Sequence, residues 1–571
     1  MKHFFAGMRG RLAATCLLLL ALAGPAARAQ APAWQATVTT LGGYSYILTT
    51  AADDNGNVYL AGTFSGTLSL GALTLTSAGG DDVFVARWNS VRNAFAWAQR
   101  AGGTGYERAT GIALNGTGVY VAGTFQSATI SFGATTLANA SATDDVFVAK
   151  LTDTGPAATF DWAQRVGGPG HEQAYALAAA GGNVYLAGAF DSATLGVGTT
   201  TLATAGDYDL FVAKLLDQGT TSQFAWAVRA GGTGADAPAA LAVADEKVYV
   251  VGAFRGAAAS FGPHTLYNTG AESLLVAKLV DTGSTGDFAW AQQAGPANEG
   301  QATAVAVRGS SVYVAGDFQG AAATFGGTSL ASLGNKDVFV AKLTDAGATA
   351  SFAWAQRAGG THDDRCFALA VSGPSLYLAG LYQSVAASFG ATALANANQN
   401  TSGDAFVAKL TDAGAAGSFA WALRAGGPNE DAARGLAIAG TTVFVTGYLS
   451  APATFGSQVI AGLPNDNAAF LTALTDPTLL ATAAAHSGLS FSLFPNPTRA
   501  ATTITLPAQP GTAAATLTLL DALGRTRRTA TVPLPAAGLR HELDLSGLAP
   551  GIYALQVRAG RTVGTQRLVV E

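Results

Sequence analysis

The chain has 571 residues, enough for more than one domain, and 49% of them are apolar, which excludes a disordered chain. Charged residues make up only 12% and glycines number 71, the balance of a β-rich protein with many tight turns. Residues 30–486 carry 19 Lys/Arg against 32 Asp/Glu, while residues 487–571 carry 8 against 4. The bulk of the chain therefore lacks the basic track that nucleic acid or anionic lipid requires.

Residues 1–29 read as a signal peptide. Lys2, Arg9 and Arg11 precede the apolar stretch Leu12 to Ala23, and Ala27-Arg28-Ala29 supplies a small-x-small cleavage site. No later stretch is apolar for long enough to span a bilayer, so the mature chain is expected to hold no transmembrane segment. Cys366 is the one cysteine beyond the leader, so no internal disulfide is expected, and the residue reads as a small core side chain.

From Trp34 to Leu474 one pattern recurs. Its second copy runs Trp97-Ala98-Gln99-Arg100-Ala101-Gly102-Gly103, then Val119-Tyr120-Val121-Ala122-Gly123, then Asp145-Val146-Phe147-Val148-Ala149-Lys150. Seven copies step by roughly 64 residues, the signature of a repeat fold. Each marker is short, β-branched or aromatic, and bounded by turn residues, which predicts strands. Val119 and Val121 point to one side of the pleat, Tyr120 and Ala122 to the other, so both faces need cover. Sheets stacked in a ring provide it. The predicted fold is all-β: a seven-bladed β-propeller over residues 30–474, with about four strands per blade.

The last copy ends at Phe470-Leu471-Thr472-Ala473-Leu474 with no Trp strand after it, whereas Trp34 stands alone at the start. The N-terminal strand is therefore expected to complete the last blade and close the ring, which an open stack would leave with exposed faces. The Gly-Gly turns and the long inserts before each Phe-Val-Ala strand should share one ring face, the inserts as hairpin arms. Long variable loops gathered on one face are where such a ring binds.

Residues 475–488 are rich in Ala and Thr and read as a linker. The tail, 489–571, predicts a small β-sandwich with strands at 502–506, 515–520, 540–545, 553–558 and 566–570. It carries Phe494-Pro495-Asn496-Pro497, then Leu520-Asp521-Ala522-Leu523-Gly524-Arg525, then Leu548-Ala549-Pro550-Gly551-Ile552-Tyr553, and closes on Arg567-Leu568-Val569-Val570-Glu571. These four motifs, in this order, resemble the type A C-terminal sorting domain of the type IX secretion system of Bacteroidetes. Phe494 stands where Tyr is frequent in that family, and Arg567 where Lys is frequent. The resemblance implies passage through the periplasm and across the outer membrane by the type IX secretion machinery, then removal of the tail with surface attachment or release. It makes Pro495, Asn496, Pro497, Asp521, Gly524, Gly551 and Tyr553 the secretion-signal residues. The repeats resemble, less specifically, the β-propeller repeats of bacterial surface proteins, a likeness that carries no active site with it.

An acid often follows the Gly-Gly turn by four residues: Glu107, Glu172, Asp236, Asp364 and Asp431. Such a carboxylate can accept amide N–H bonds within its turn. The rival reading is a ring of calcium ligands, but acids on separate blades converge poorly on one ion. A second acid precedes the Phe marker by two residues: Asp82, Asp145, Asp209, Asp337 and Asp404. A Lys or Arg closes the same strand, on the opposite face of the pleat, and these charges read as solvated strand ends. The six histidines form no zinc spacing, and there is no nucleophile elbow or phosphate loop. No metal, cofactor or catalytic residue is therefore predicted. Tyr106, Glu107, His171, Glu172, Asp236, His362, Asp363, Asp364, Glu430 and Asp431, on or beside the Gly-Gly turns, are the candidate binding residues.

The expected function is an exported cell-surface or released propeller that binds an extracellular glycan or protein, or acts as a scaffold, and is not an enzyme. The alternative is a secreted propeller enzyme acting on glycans.

Overall fold

The Val-Tyr stretches become the most deeply buried strands: Val58–Phe64, Gly118–Phe125, Ser375–Tyr382 and their counterparts are covered on both faces along nearly their whole length. Continuous β-branched and aromatic sequence requires such cover, since either face left wet would expose a row of large apolar side chains. In the computed structural model, the described residues are 31–570 apart from 140, 142, 269, 296–297, 398–401, 462–466, 480–490, 507–513, 522–525, 536–537 and 560–561. They are all-β, relieved only by a short 3-10 turn at Pro477–Leu479. The leader lies outside the described residues, as does most of the expected linker. No helix among the described residues is long and apolar enough to cross a membrane.

The second repeat shows the plan. Glu107–Asn115, Gly118–Phe125, Asp145–Asp153 and Ala158–Gly167 form an antiparallel sheet in sequence order. The register places Tyr120 opposite Ala113 on one side and Lys150 on the other. The same order recurs in the other repeats. Their first strands touch in succession, and Ala432–Ala439 of the last repeat touches Ser45–Ala52 of the first. In the last repeat Val38–Thr39 supplies the fourth strand, with Val38 opposite Leu471 and Thr39 opposite Phe470, and Trp34 bridges Leu474. This is the closure that the missing Trp strand called for.

The inserts form short hairpins, such as Thr129–Phe132 with Thr135–Ala138. Most reach back to the fourth strand of the preceding repeat, as Phe132 does opposite Ala101. Phe132 also packs 5.1 Å from the Phe147 ring of its own repeat. One aromatic side chain thus ties two neighbouring sheets.

In the tail, Ser492–Phe494, Ala501–Leu506 and Leu539–Asp544 form one antiparallel sheet, and Thr526–Pro533, Ala514–Leu520, Gly551–Ala559 and Thr562–Val570 form another. Ile504, Leu517, Leu555, Val557 and Leu568 share one buried cluster. Thr526–Pro533 was not anticipated from the sequence. It is an edge strand with most side chains exposed, so it lacks the apolar alternation that reveals a half-buried strand.

Candidate functional site

Two polar networks join neighbouring repeats, one on each ring face. On the face of the short links, an Asp ending the third strand accepts from the repeat before it. Asp345 receives the Trp290 indole N–H at 3.1 Å, the Tyr249 hydroxyl at 2.7 Å and the Lys278 ammonium at 2.8 Å. Asp217, Asp281 and Asp412 receive the corresponding Trp, Tyr and Lys, and Asp153 receives Trp97, Tyr59 and Arg87. Asp476 holds Tyr377 and Lys409, each at 2.7 Å. Burial opposes the charge on Asp217, Asp281, Asp345, Asp412 and Asp476, but the ammonium, hydroxyl and amide donors outweigh it and hold them below the usual range, Asp476 at about 2. The bases closing the third strand are therefore not solvated ends. They are buried and reach an acid on the next repeat, which spacing within one strand could not reveal. The recurring Asp itself was legible at Asp153, Asp217, Asp281, Asp345, Asp412 and Asp476.

On the loop face the two recurring acids meet at the junction. Asp337 pairs with Arg357 of its own sheet at 2.6 Å, and Asp364 of the next repeat comes up beside it. Asp364 accepts the Gly360 amide at 2.6 Å, the Ser384 hydroxyl at 2.7 Å and the Ser384 amide at 3.2 Å. A Cβ on Gly359 would fall 2.5 Å from Asp337 Oδ1 and 2.7 Å from Asp364 Oδ2, and the residue has φ +138°, so both contact and conformation require glycine there. Asp82 with Glu107, Asp145 with Glu172, Asp209 with Asp236 and Asp404 with Asp431 repeat the arrangement, with Arg100, Arg165, Arg229 and Arg424 as the cations. Burial, joined by the facing carboxylate, pushes Glu172, Asp236 and Asp431 up to about 7 and Asp364 to about 6. At the junction of the fourth and fifth repeats Ser273, Gly300 and Gln293 occupy these three positions, so acids and cation are replaced together.

Glu107, Glu172, Asp236, Asp364 and Asp431 are thus buried junction groups and not part of the loop-face surface. They bond the Gly-Gly turn because their carboxylates sit under it, where the turn's amide N–H groups point. The other candidates remain accessible. Tyr106 is 63% exposed. His171 is exposed, with Nδ1 3.6 Å from Asp144. His362 bonds Thr361, Asp363 pairs with Arg365 at 3.0 Å, and exposed Glu430 accepts the Tyr448 hydroxyl at 2.6 Å. Tyr106 borders a cavity of about 220 Å³ together with Arg108, Gln126, Asp144, Gln173 and Tyr175. Of these, only Tyr106 stands out in the sequence as a candidate. The others occupy positions whose residue varies from repeat to repeat, and that variability was the signal to follow. Among the described residues no three acid, His or Cys side chains converge as a metal site. Cys366 is buried, and its thiol is pushed up to about 12 by that burial.

In the tail, Asn496 Oδ1 accepts the Val569 amide at 2.9 Å, Asp521 holds Arg527, and the Tyr553 hydroxyl donates to Ala549 at 2.8 Å. Pro495 and Pro497 flank Asn496, and Gly551 opens its strand; Gly524 lies outside the described residues. The first motif is thereby fastened to the last strand, bringing the two ends of the tail together. Residues 492–571 match the family model for the secretion system C-terminal sorting domain. They are a type IX secretion C-terminal sorting domain. The sorting domain marks the chain for export to the cell surface or release, with the type IX machinery as its partner.

No curated protein matches the chain. Solved structures similar to it include a Trypanosoma rangeli sialidase mutant displaying trans-sialidase activity, at 10% identity over 95% of this chain and 86% of that one, with a TM-score of 0.33. The hemagglutinin-neuraminidase of Parainfluenza Virus 5 is similar at 9% identity over 68% and 90%, with a TM-score of 0.29. A glycoside hydrolase family 32 protein from Bifidobacterium adolescentis follows at 10% over 78% and 80%, with a TM-score of 0.24. The expectation that the chain is not an enzyme is corrected by these neighbours, which are sialidases, a neuraminidase and a glycoside hydrolase. A ring of repeats brings together residues far apart in sequence, so the lack of a short catalytic motif was no ground for excluding catalysis. At these TM-scores the likeness assigns no activity either.

Proposed function

We propose that this chain is an exported seven-bladed β-propeller whose loop face binds an extracellular ligand, a glycan or a protein, at or beyond the cell surface. In this reading residues 1–29 are the leader, 30–474 the propeller, 475–488 the linker and 489–571 a sorting sandwich that is removed after export. The observation that carries the binding role is a division of labour among residues. Side chains that recur from repeat to repeat hold the junctions, whereas Arg108, Gln126, Gln173 and Tyr175, at positions whose residue varies between repeats, gather with exposed Tyr106 around an open cavity on the loop face. Nothing in the junctions needs them there, and an aromatic side chain beside amides and carboxylates is what a hydroxyl-rich ligand requires.

The test is to pass the mature protein over a panel of neutral and acidic oligosaccharides and surface proteins, and to follow any glycan hit for turnover. Tyr106→Ala should abolish capture without moving the unfolding midpoint. Capture that survives Tyr106→Ala and Gln173→Ala together removes the loop-face reading. For the export half, a chain ending before residue 489 should remain in the periplasm.

A further inference from the structure

The first strand of each repeat carries a bulge, and its extra residue is Leu48, Thr110, Tyr175, Ala239, Thr303, Phe367 or Arg434 in turn. Six of these, all but Thr303, line a cavity of about 330 Å³ that every repeat helps to wall, so it lies on the ring's axis. Arg108, two residues before the second bulge, lines it too. Two arginines therefore face one small space, Arg434 from the last repeat and Arg108 from the second.

Their surroundings set them apart. Arg87, Arg100, Arg165, Arg229, Arg357, Arg365 and Arg424 each hold an acid. Among the described residues Arg108 and Arg434 hold none. The Arg434 guanidinium lies 3.8 Å from the centre of the Phe367 ring and 5.8 Å from that of Tyr448, which fixes its plane, and its buried Nε has no acceptor. The carboxylate beside it, Glu430, already accepts the Tyr448 hydroxyl. Two unneutralised cations on one cavity wall repel each other, and a protein with 32 acids to 19 bases between residues 30 and 486 has acids to spare for them. A planar guanidinium held by stacking and by its contact with the Tyr448 hydroxyl, with no acid on its remaining N–H groups, is suited to bidentate contact with a planar oxyanion.

We propose that the loop-side end of the axial cavity binds the carboxylate of an acidic saccharide, with Arg434 as the stacked, bidentate contact and Arg108 as the second cation. The inference rests on the loop-face binding reading and names the ligand class. A single negative charge fits better than a phosphate dianion, because Asp81 and Asp144 border the adjoining cavity. Hydroxyls supply the polar remainder: Thr49, Thr50 and Thr110 line the same wall. The volume falls within the ~300–1,000 Å³ usual for small-ligand pockets.

The experiment is calorimetric titration of the mature protein with a galacturonate trisaccharide, a neutral galactose trisaccharide and a sulfated galactose trisaccharide. The galacturonate should bind with Kd of about 1 mM or tighter, weaken as salt is raised, and exceed the neutral sugar at least tenfold. Arg434→Gln should remove that preference, and Arg434→Lys should restore it only in part, because an ammonium keeps the charge but loses the fork. Arg108→Gln should weaken galacturonate binding several-fold, with the unfolding midpoint unchanged in each variant. Stronger binding of the sulfated sugar than of galacturonate overturns the carboxylate assignment. Equal affinity for neutral and acidic sugars, or galacturonate binding indifferent to Arg434→Gln, overturns the site. If the neutral sugar binds and Tyr106→Ala abolishes it, the loop-face reading survives that failure; if no sugar or protein binds the loop face at all, both readings fall.

Discussion

The junction between the fourth and fifth repeats and the junction that closes the ring join the same kinds of sheet by different means. At the former, Tyr249, Trp290 and Lys278 converge on Asp345. At the latter, Phe444 stands in the tyrosine position, Ala473 opposite it in the lysine position and Asn89 in the aspartate position. The loop-face acids are missing there as well, replaced by Ala468 and Ser45. What remains is mainly apolar: Phe444, Ala469, Leu471 and Ala473 pack against Ile47, Val58, Leu60 and Phe84. Among the described residues, hydrogen bonds join it at the loop-face end alone, from Asn467 to the Tyr46 hydroxyl, from the Ala469 amide to Ser45, and between the Thr40 and Ser45 hydroxyls. The closing sheet also depends on a two-residue strand and one bridge from Trp34. A latch of hydrogen bonds fixes register, whereas an apolar contact tolerates the last sheet arriving late and finding its place. The difference suits a ring whose final strand comes from the opposite end of the chain.

The largest effect should come from breaking a latch from one side. Asp345→Ala leaves Lys278 buried without a counter-charge and two donors without acceptors, and should cost about 3–5 kcal/mol. The unfolding midpoint in urea measures it. Asn89→Ala, at the matching position of the closing junction, should cost under about 1 kcal/mol, because Asn89 bonds only Asn57 and the Arg92 amide. Equal costs at the two sites would erase the distinction between them.

The next effect is a dependence on pH, with opposite signs for the two networks. Asp217, Asp281, Asp345, Asp412 and Asp476 are held below their usual range, so their contribution is present above about pH 4 and is lost as pH falls toward the value of about 2 at Asp476. On the loop face, Glu172, Asp236, Asp364 and Asp431 are raised. The folded ring binds more protons than the unfolded chain, so their contribution is present below about pH 4 and is lost as pH rises through about 6 to 7. Thermal midpoints should therefore peak between about pH 4 and 6 and decline by pH 8. Glu172→Gln, which keeps the acceptor for the Gly168 amide without the charge, should flatten that decline. An unchanged alkaline slope in Glu172→Gln would falsify the account in which burial and the facing Asp145 carboxylate raise this acid.

The repeat period, the strand identities and the closing strand could all be read from sequence, because each is written as apolar spacing along one segment. The junction networks could not. Lys150 and Asp161 are close in sequence, but the lysine's nearest acid is Asp217 on the next sheet, 2.7 Å away. Only the ring brings residues so far apart into contact. The same limit misplaced Glu172 and Asp431, whose position in a turn suggested exposure. Burial there comes from the neighbouring repeat, and no local pattern reports it. Arg434 was passed over for the opposite reason: attention to what recurs hides a residue whose importance lies in not recurring.

The smallest predicted effect is also the most direct test of the comparison, because it builds a latch where the molecule has none. Phe444→Tyr with Asn89→Asp buries a carboxylate with one hydroxyl donor and no cation, and should destabilise the ring. Adding Ala473→Lys supplies the missing charge at the register position that Lys278 occupies opposite Tyr249. The triple variant should regain the loss and gain about 1 kcal/mol, the net worth of a satisfied hydrogen bond. Slower hydrogen exchange at the Phe470 to Leu474 amides would locate that gain at the closing sheet. Exchange as fast as in the parent, in a triple variant of normal stability, would mean that packing alone limits opening of the ring and that the six latches serve register and not strength.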